Sequence, residues 1–196
     1  MNKAKKINIR FLVTTGVLSA VASVLMMLSF SVPFMPAFIK MDFSELPALI
    51  AAFSMGPVSG VCVCLVKNVI NLTMTTTGGV GELSNFLLGC MFVIPAGLIY
   101  RIRPTRKSAL IGAVSGSALM AIGSLPLNYY VTYPVYSKIL PVDKIVGMYQ
   151  AIFGGVNGLF ECLLIFNVPY TFLKGMLNTA IAFVIYKHIS RLIKGK

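Results

Sequence analysis

Residues 45–75 read ELPALIAAFSMGPVSGVCVCLVKNVINLTMT, and the division of this apolar stretch decides the fold of the chain. The dipeptide Gly56-Pro57 stands near its middle. Proline disrupts the interior of a helix but suits its first turn. We therefore predict two helices, over residues 45–55 and 57–75, and the first is only about 16 Å long at 1.5 Å per residue.

The composition of the whole chain is that of an integral membrane protein. Of its 196 residues, 57% are hydrophobic and 11% are charged, with a mean hydropathy of +0.87. This leaves too little polar surface to cover a water-soluble globule. Several uncharged runs could hold helices that cross a hydrocarbon layer of about 30 Å, and they lack the alternation of barrel strands. They cover residues 11–39, 46–66, 83–100, 108–137 and, interrupted by Lys174, 162–186.

Twelve basic residues lie in three segments that contain no acidic residue, namely 3–10, 101–107 and 187–196. The positive-inside rule places such segments in the cytoplasm. The net charge of +12 thus indicates a membrane topology and not a nucleic-acid surface. An unbroken helix over residues 46–66 would put the middle segment outside, and the break at Gly56-Pro57 removes this conflict.

The second half of the chain follows the same reasoning. A fifth helix at about residues 108–133 runs outward, and a sixth at about 167–192 returns. Residues 134–166 contain prolines and glycines, and we expect short interfacial or re-entrant helical pieces there without a net crossing. The predicted fold is an all-α integral membrane protein with six transmembrane helices, both termini in the cytoplasm, and a single substrate-binding domain over residues 1–196.

A few polar residues within or beside these spans are candidates for binding a substrate. Asp42 lies in a loop of mixed apolar and charged residues, 31–44, which has the character of a lid. Lys174 falls about 10 Å below the outer boundary, where a lysine either snorkels to the surface or faces a cavity. Thr171 lies one turn away on the same face. Asn128 precedes several tyrosines, which form either a binding surface or an interfacial belt.

Other polar residues have a structural interpretation. Ser44 suits the cap of the second helix, and Glu45 suits its positive end. Lys67 lies inside the third helix and needs a partner, which we expect to be a helix end, Glu82 or Glu161. Direct contact between Lys67 and a substrate is the alternative. The four cysteines lack metal-ligand spacing and are expected to be buried small apolar side chains.

Several motifs of the chain resemble those of the riboflavin-specific S component, the substrate-binding membrane subunit of energy-coupling factor (ECF) vitamin transporters. They are DFSELP at 42–47, GP at 56–57, KN at 67–68, TGGVGELSNF at 77–86 and PYTFLKG at 169–175. In the last motif, Thr171 replaces the asparagine of the family. The resemblance implies that riboflavin is bound as the transported ligand and that no cofactor is needed. The substrate-binding residues predicted from the motifs and their setting are Phe38, Lys40, Met41, Asp42, Asn85, Asn128, Thr171 and Lys174.

The same resemblance implies partners in the plasma membrane of a prokaryote. Family members carry small residues on the first helix that dock on a membrane coupling subunit, which works with two ATPase subunits. Gly16 and Ala20 resemble this motif. The chain has no G-x-x-x-x-G-K-[ST] phosphate loop, so ATP hydrolysis is assigned to the partners. Gly112 and Gly116 form a similar stripe, which we interpret as internal packing.

Two other functions are compatible with the sequence. One is an S component for another vitamin, such as thiamine or biotin, and the other is a stand-alone secondary transporter. An enzyme is not expected, because no paired carboxylates, histidine cluster or nucleophile–base pair is visible.

Overall fold

The structure is a computed structural model that describes residues 9–36, 39–75, 77–138 and 140–194, with side chains as far as residue 185. This part of the chain is helical apart from loops and one short ribbon. The ribbon pairs β1 (Phe30–Ser31) with β2 (Lys40–Met41) in antiparallel fashion. The α-helices are α1 Ile9–Met27, α2 Glu45–Met55, α3 Pro57–Asn71, α4 Val80–Ile102, α5 Arg106–Leu127, α6 Tyr133–Tyr136, α7 Val142–Gln150, α8 Leu159–Cys162 and α9 Val168–Lys194.

The predicted all-α membrane fold is confirmed. A shorter apolar helix, Glu45–Met55, accompanies the long ones, as predicted. Within the described residues, five helical segments are long and apolar enough to cross a membrane: Ile9–Met27, Pro57–Met74, Val80–Ile102, Arg106–Tyr136 and Leu159–Ile185.

The break at Gly56-Pro57 places α2 in the centre of the bundle. Gly56 has φ +100°, a conformation that side-chain-bearing residues rarely adopt, and Pro57 begins α3. Ser59 reinforces the turn by donating its hydroxyl to the Ala51 carbonyl oxygen at 2.7 Å. Most of α2 is buried, because α1, α3, α4 and α9 all pack around it. The short helix is therefore a core element.

Two glycines bring α4 and α5 into backbone contact. A Cβ at Gly112 would lie 2.8 Å from the Ala96 carbonyl oxygen. A Cβ at Gly116 would overlap the Phe92 carbonyl and lie 3.1 Å from its carbon. The prediction that this stripe is internal packing is correct.

The ends of the last two long helices differ from the predicted ones. After α5, the chain continues as a π-helical turn, Asn128–Thr132, and then as α6. The final helical path begins at Leu159 and reaches α9 through a second π-helical turn, Leu163–Asn167. Between the two paths, α7 is the short helical piece expected within residues 134–166.

Close packing at Gly116 makes a testable difference to stability. Gly116→Ala is expected to lower the melting temperature, because forcing α4 and α5 apart costs about 1 to 3 kcal/mol. Gly16→Ala is the matched control, because nothing lies within 4 Å of the position its Cβ would take. Thermal unfolding of the purified protein in detergent compares the two variants. Equal melting temperatures would contradict the backbone contact between α4 and α5.

Candidate substrate-binding site

A cavity of ≈ 220 Å³ lies between α4, α6, the two π-helical turns, the loop before α4 and Ile39, which precedes β2. Its wall is mixed, with apolar side chains such as Ile39 and Leu88 beside several amides and hydroxyls. Such a combination is typical of sites that bind small organic ligands. The polar side chains in the wall include Thr77, Ser84, Asn85, Asn128, Tyr133 and Asn167.

Two of the predicted residues, Asn85 and Asn128, line this cavity. The Oδ1 atom of Asn85 is buried and has no hydrogen-bond partner among the described residues. An unsatisfied buried acceptor costs free energy, so a ligand that donates a hydrogen bond there would be stabilised. Asn128 begins a π-helical turn, a feature often found at functional sites. Phe38 lies outside the described residues.

Asp42 and Lys174 do not line this cavity but form a buried ion pair with each other. The Lys174 ammonium donates to Asp42 Oδ2 at 2.7 Å. Burial alone would raise the pKa of Asp42, but the Lys174 ammonium, with help from Lys67, outweighs it and lowers the pKa to about 2. The carboxylate is therefore ionised at physiological pH. Of the two roles considered for Lys174, the structure supports an interior one over snorkelling.

The other predicted residues, at 40, 41 and 171, are also not part of the described cavity wall, and they lie on the two segments that carry this ion pair. Thr171 is buried one turn before Lys174 on α9. Met41 is buried as well, and the Tyr170 hydroxyl donates to its sulfur at 3.9 Å. Lys40 is exposed on β2. The loop that contains β1 and β2 is thus tied to α9 by side-chain contacts at residues 41 and 42.

A second ion pair extends this network across the bundle. Lys67 donates to Glu45 Oε1 at 2.7 Å, and both side chains are 0% exposed. Lys67 also donates to Ser44 Oγ at 2.7 Å, and Ser44 donates to Asp42 Oδ1 at 2.5 Å. The side chains of 174, 42, 44, 67 and 45 therefore form one continuous polar chain, which we call the buried ion-pair chain.

The buried ion-pair chain corrects two predictions made from the sequence. The partner of Lys67 is Glu45, and not Glu82 or Glu161. Ser44 does not cap α2 with its side chain, because its hydroxyl is engaged by Lys67 and Asp42. Both errors have one cause: a buried lysine needs a counter-charge more strongly than a helix end needs a cap.

Glu82 holds the loop that precedes α4. Its carboxylate accepts hydrogen bonds from Asn71 at 3.2 Å, Thr75 at 2.9 Å and Thr77 at 3.0 Å. Gly79, with φ +89°, provides the left-handed turn into α4. Because Thr77 lines the cavity, this carboxylate helps to shape the cavity wall.

Asn167 is a residue of the cavity wall that the sequence analysis missed. It lies one helical turn before Thr171 and two before Lys174, so the three polar residues share one face of the final helical path. This spacing of i, i+4 and i+7 is visible in the sequence and could have identified it. Tyr133, one of the tyrosines that follow Asn128, is buried and also lines the cavity.

The predicted docking residues lie away from the cavity. Gly16 and Ala20 are exposed on α1, whereas Thr15, Ser19 and Ser23 on the same helix are buried. The exposed side of α1 also carries valines, including Val13, Val17 and Val21. A smooth apolar surface with small residues is available there for another helix.

A second cavity, of ≈ 400 Å³, lies beside the break between α2 and α3. It is larger, but its wall contains none of the predicted substrate-binding residues and includes Phe53, Gly56, Tyr100 and Arg101. The first cavity is the better candidate, because polar side chains from several separate segments converge on it.

Comparison with known proteins assigns the chain to a family. The family model described as "ECF transporter, substrate-specific component" matches residues 10–186. The chain belongs to this family. As an S component, it is 32% identical to the riboflavin transporter RibU of Staphylococcus aureus over 99% of both chains. It is 30% identical to the riboflavin transporter FmnP of Bacillus subtilis, over 91% of this chain and 90% of that protein.

A solved structure supports the same assignment. It is described as the S component of a bacterial ECF transporter, and it matches this S component with a TM-score of 0.74 and 32% identity. The match covers 94% of this chain and 97% of that one. The family resemblance predicted from the motifs is therefore confirmed. The prediction of a prokaryotic membrane protein is confirmed as well.

The pairing of Lys67 with Glu45 predicts a strong stability effect. Lys67→Met leaves a fully buried carboxylate without its counter-charge and is expected to destabilise the S component by about 3 to 5 kcal/mol. The double variant Lys67→Met with Glu45→Gln removes both charges and should recover part of that loss. Thermal unfolding in detergent measures the difference.

The matched control is Glu161→Gln, which neutralises an exposed carboxylate that contacts the Asn157 backbone instead. It is expected to leave the melting temperature nearly unchanged. A double variant no more stable than Lys67→Met alone would contradict the pairing.

Proposed function

We propose that this chain binds riboflavin at the outer face of the membrane and delivers it to an ECF-type uptake transporter. The observation that carries the proposal is near-complete alignment with proteins named as riboflavin transporters, at 32% identity for the Staphylococcus aureus relative. The chemistry of the cavity wall agrees with this ligand.

Riboflavin presents a flat ring system with a polar edge and a chain of hydroxyls. Amides such as Asn85 and Asn128 can both donate and accept hydrogen bonds, as ring-edge atoms and hydroxyls require. Leu88, Tyr133 and Tyr136 supply apolar and aromatic surface in the same wall. The cavity therefore offers both kinds of contact that the ligand needs.

The size of the cavity supports a ligand-dependent change of the loop 31–44. At ≈ 220 Å³ it is smaller than the roughly 300 to 1,000 Å³ of typical small-molecule sites. Ile39 belongs to this loop and lines the cavity, and Asp42 anchors the loop to Lys174. We propose that the loop moves outward to admit the ligand and closes over it, and that Thr171 and Lys174, which lie outside the present cavity wall, then contact the ligand.

Transport itself requires partners. We propose that the exposed Gly16 and Ala20 surface docks on a membrane coupling subunit, which is driven by two ATPase subunits. In this arrangement the chain is a multi-pass plasma-membrane protein with both termini in the cytoplasm. The basic segment 101–107, where α4 ends and α5 begins, then lies on the cytoplasmic side.

The proposal is tested by titrating the purified protein with riboflavin and following the quenching of flavin fluorescence. Saturable quenching with one site supports it, and competition by unlabelled thiamine or biotin measures the specificity. Binding of another vitamin in place of riboflavin would support the alternative S-component function. Ion-driven uptake by this chain alone would support a secondary transporter instead.

Removing a single amide from the cavity is expected to weaken binding. Asn128→Ala should lower riboflavin affinity roughly ten- to hundredfold, because loss of one partner in a dry site costs about 1 to 3 kcal/mol. Lys174→Ala should have an effect of similar size, because it removes the Asp42 anchor of the loop that closes over the ligand. Asn157→Ala, at an exposed asparagine outside the cavity, is the control. Unchanged titrations for both site variants would remove these residues from the site.

Docking and binding are expected to be separable by mutation. Ala20→Leu places a bulky side chain on the exposed face of α1 and should abolish uptake in cells that contain the complete transporter. Riboflavin affinity of the purified variant should not change, because α1 does not line the cavity. Ile122→Phe enlarges an exposed side chain on α5 and serves as the control. If Ala20→Leu lowers affinity as well, the surface is not a docking site.

A further inference from the structure

Three side chains next to the cavity form a closed ring of hydrogen bonds. The Tyr149 hydroxyl donates to Asn167 Oδ1 at 2.7 Å. The Asn167 amide nitrogen donates to the Tyr133 hydroxyl at 3.4 Å, and the two tyrosine hydroxyls are 2.9 Å apart. Since the single proton of Tyr149 goes to Asn167, the Tyr133 hydroxyl donates to Tyr149, and the ring closes.

The distances define the direction of this ring. A separation of 2.7 Å is the most common O–H···O distance, whereas N–H···O bonds are most often about 2.9 to 3.0 Å long. Rotating the Asn167 amide by half a turn would place its nitrogen at the short contact and its oxygen at the long one. The observed orientation therefore keeps Oδ1 on Tyr149 and Nδ2 on the side of Tyr133.

The three members of the ring have different relations to the cavity. Tyr133 and Asn167 line it, whereas Tyr149 lies behind the wall and is fully buried. Tyr149 belongs to α7, which packs through Ile145 and Tyr149 into an apolar cluster with Val156, Cys162 and Leu163. Helix α7 thus carries a hydroxyl, that of Tyr149, which contacts the cavity wall from the side facing away from the cavity.

We propose that Tyr149 is a positioning residue for substrate binding, because its hydroxyl fixes the Asn167 amide so that a remaining N–H of Nδ2 serves a hydrogen-bond acceptor of the ligand. An asparagine amide has two orientations of nearly equal shape but opposite hydrogen-bonding character. Without Tyr149, both orientations become available, and the ligand must select one. The inference rests on the proposed function, with riboflavin carbonyl or hydroxyl oxygens as the acceptors.

A double-mutant cycle tests whether Tyr149 acts through Asn167. The variants are Tyr149→Phe, Asn167→Ala and the combination of both, each titrated with riboflavin by fluorescence quenching. Tyr149→Phe keeps the aromatic side chain that packs against Phe166 at a centroid distance of 5.2 Å, so we expect a folded protein. Each single variant should weaken binding by roughly three- to tenfold. The double variant should be no weaker than Asn167→Ala alone.

Two controls separate positioning from general packing. Ile145→Val loosens the packing of α7 without touching the hydrogen-bond ring, and Tyr100→Phe removes a hydroxyl beside the second cavity. Both should bind riboflavin like the wild type, even where the melting temperature falls. An equal loss of affinity in Ile145→Val would show that Tyr149 acts only through packing.

The remaining outcomes also decide the inference. Additive losses in the double variant, or unchanged affinity in Tyr149→Phe, would overturn it while leaving riboflavin binding intact. A wild-type protein that does not bind riboflavin would overturn the proposed function, and the inference with it. Wild-type titration therefore distinguishes the two failures.

Discussion

Two lysines buried among apolar helices require carboxylates beside them, and this electrostatic requirement organises the structure around the candidate site. Removing the counter-charge of a buried ammonium costs several kcal/mol, far more than any local turn or cap contributes. Lys67 on α3 and Lys174 on α9 are satisfied by Glu45 and Asp42, which are only three positions apart in the chain. The segment that enters α2 is therefore held between two helices.

Because α2 lies at the centre of the bundle, the two ion pairs also constrain the loop beside the cavity. Because the break at Gly56-Pro57 makes α2 short, the helix is enclosed by its neighbours and its first residue, Glu45, is fully buried. The same segment continues backward into β2, whose neighbour Ile39 lines the cavity. A change in the loop 31–44 must therefore either preserve the Asp42–Lys174 contact or exchange it for a contact with the ligand.

The sequence predicted the features that depend on the local chemistry of a residue or on the spacing between residues. The helix break needed only a proline at the right place, and the internal role of Gly112 and Gly116 needed only their spacing. The partner of Lys67 could not be derived in this way, because a helix end, Glu82 and Glu161 were all compatible with its position, whereas the packing selects Glu45. The two π-helical turns likewise have no clear sequence signal. Asn167 had one, in its spacing from Thr171 and Lys174, although it lies at the very start of the predicted sixth helix.

The separation of the cavity from α1 has a physical consequence for transport. Residues that line the cavity come from the β2 loop, the α3–α4 loop, α4 and the second half of the chain, whereas the exposed small residues lie on α1. The two regions are connected mainly through α2 and α3, since α1 packs on both and the ion-pair chain joins both to the loop and to α9. A partner bound to α1 can influence the ligand only if its contacts differ between the states of these elements. The buried ion-pair chain is the part of this connection with discrete, directional bonds, and so it is where such a difference would be largest.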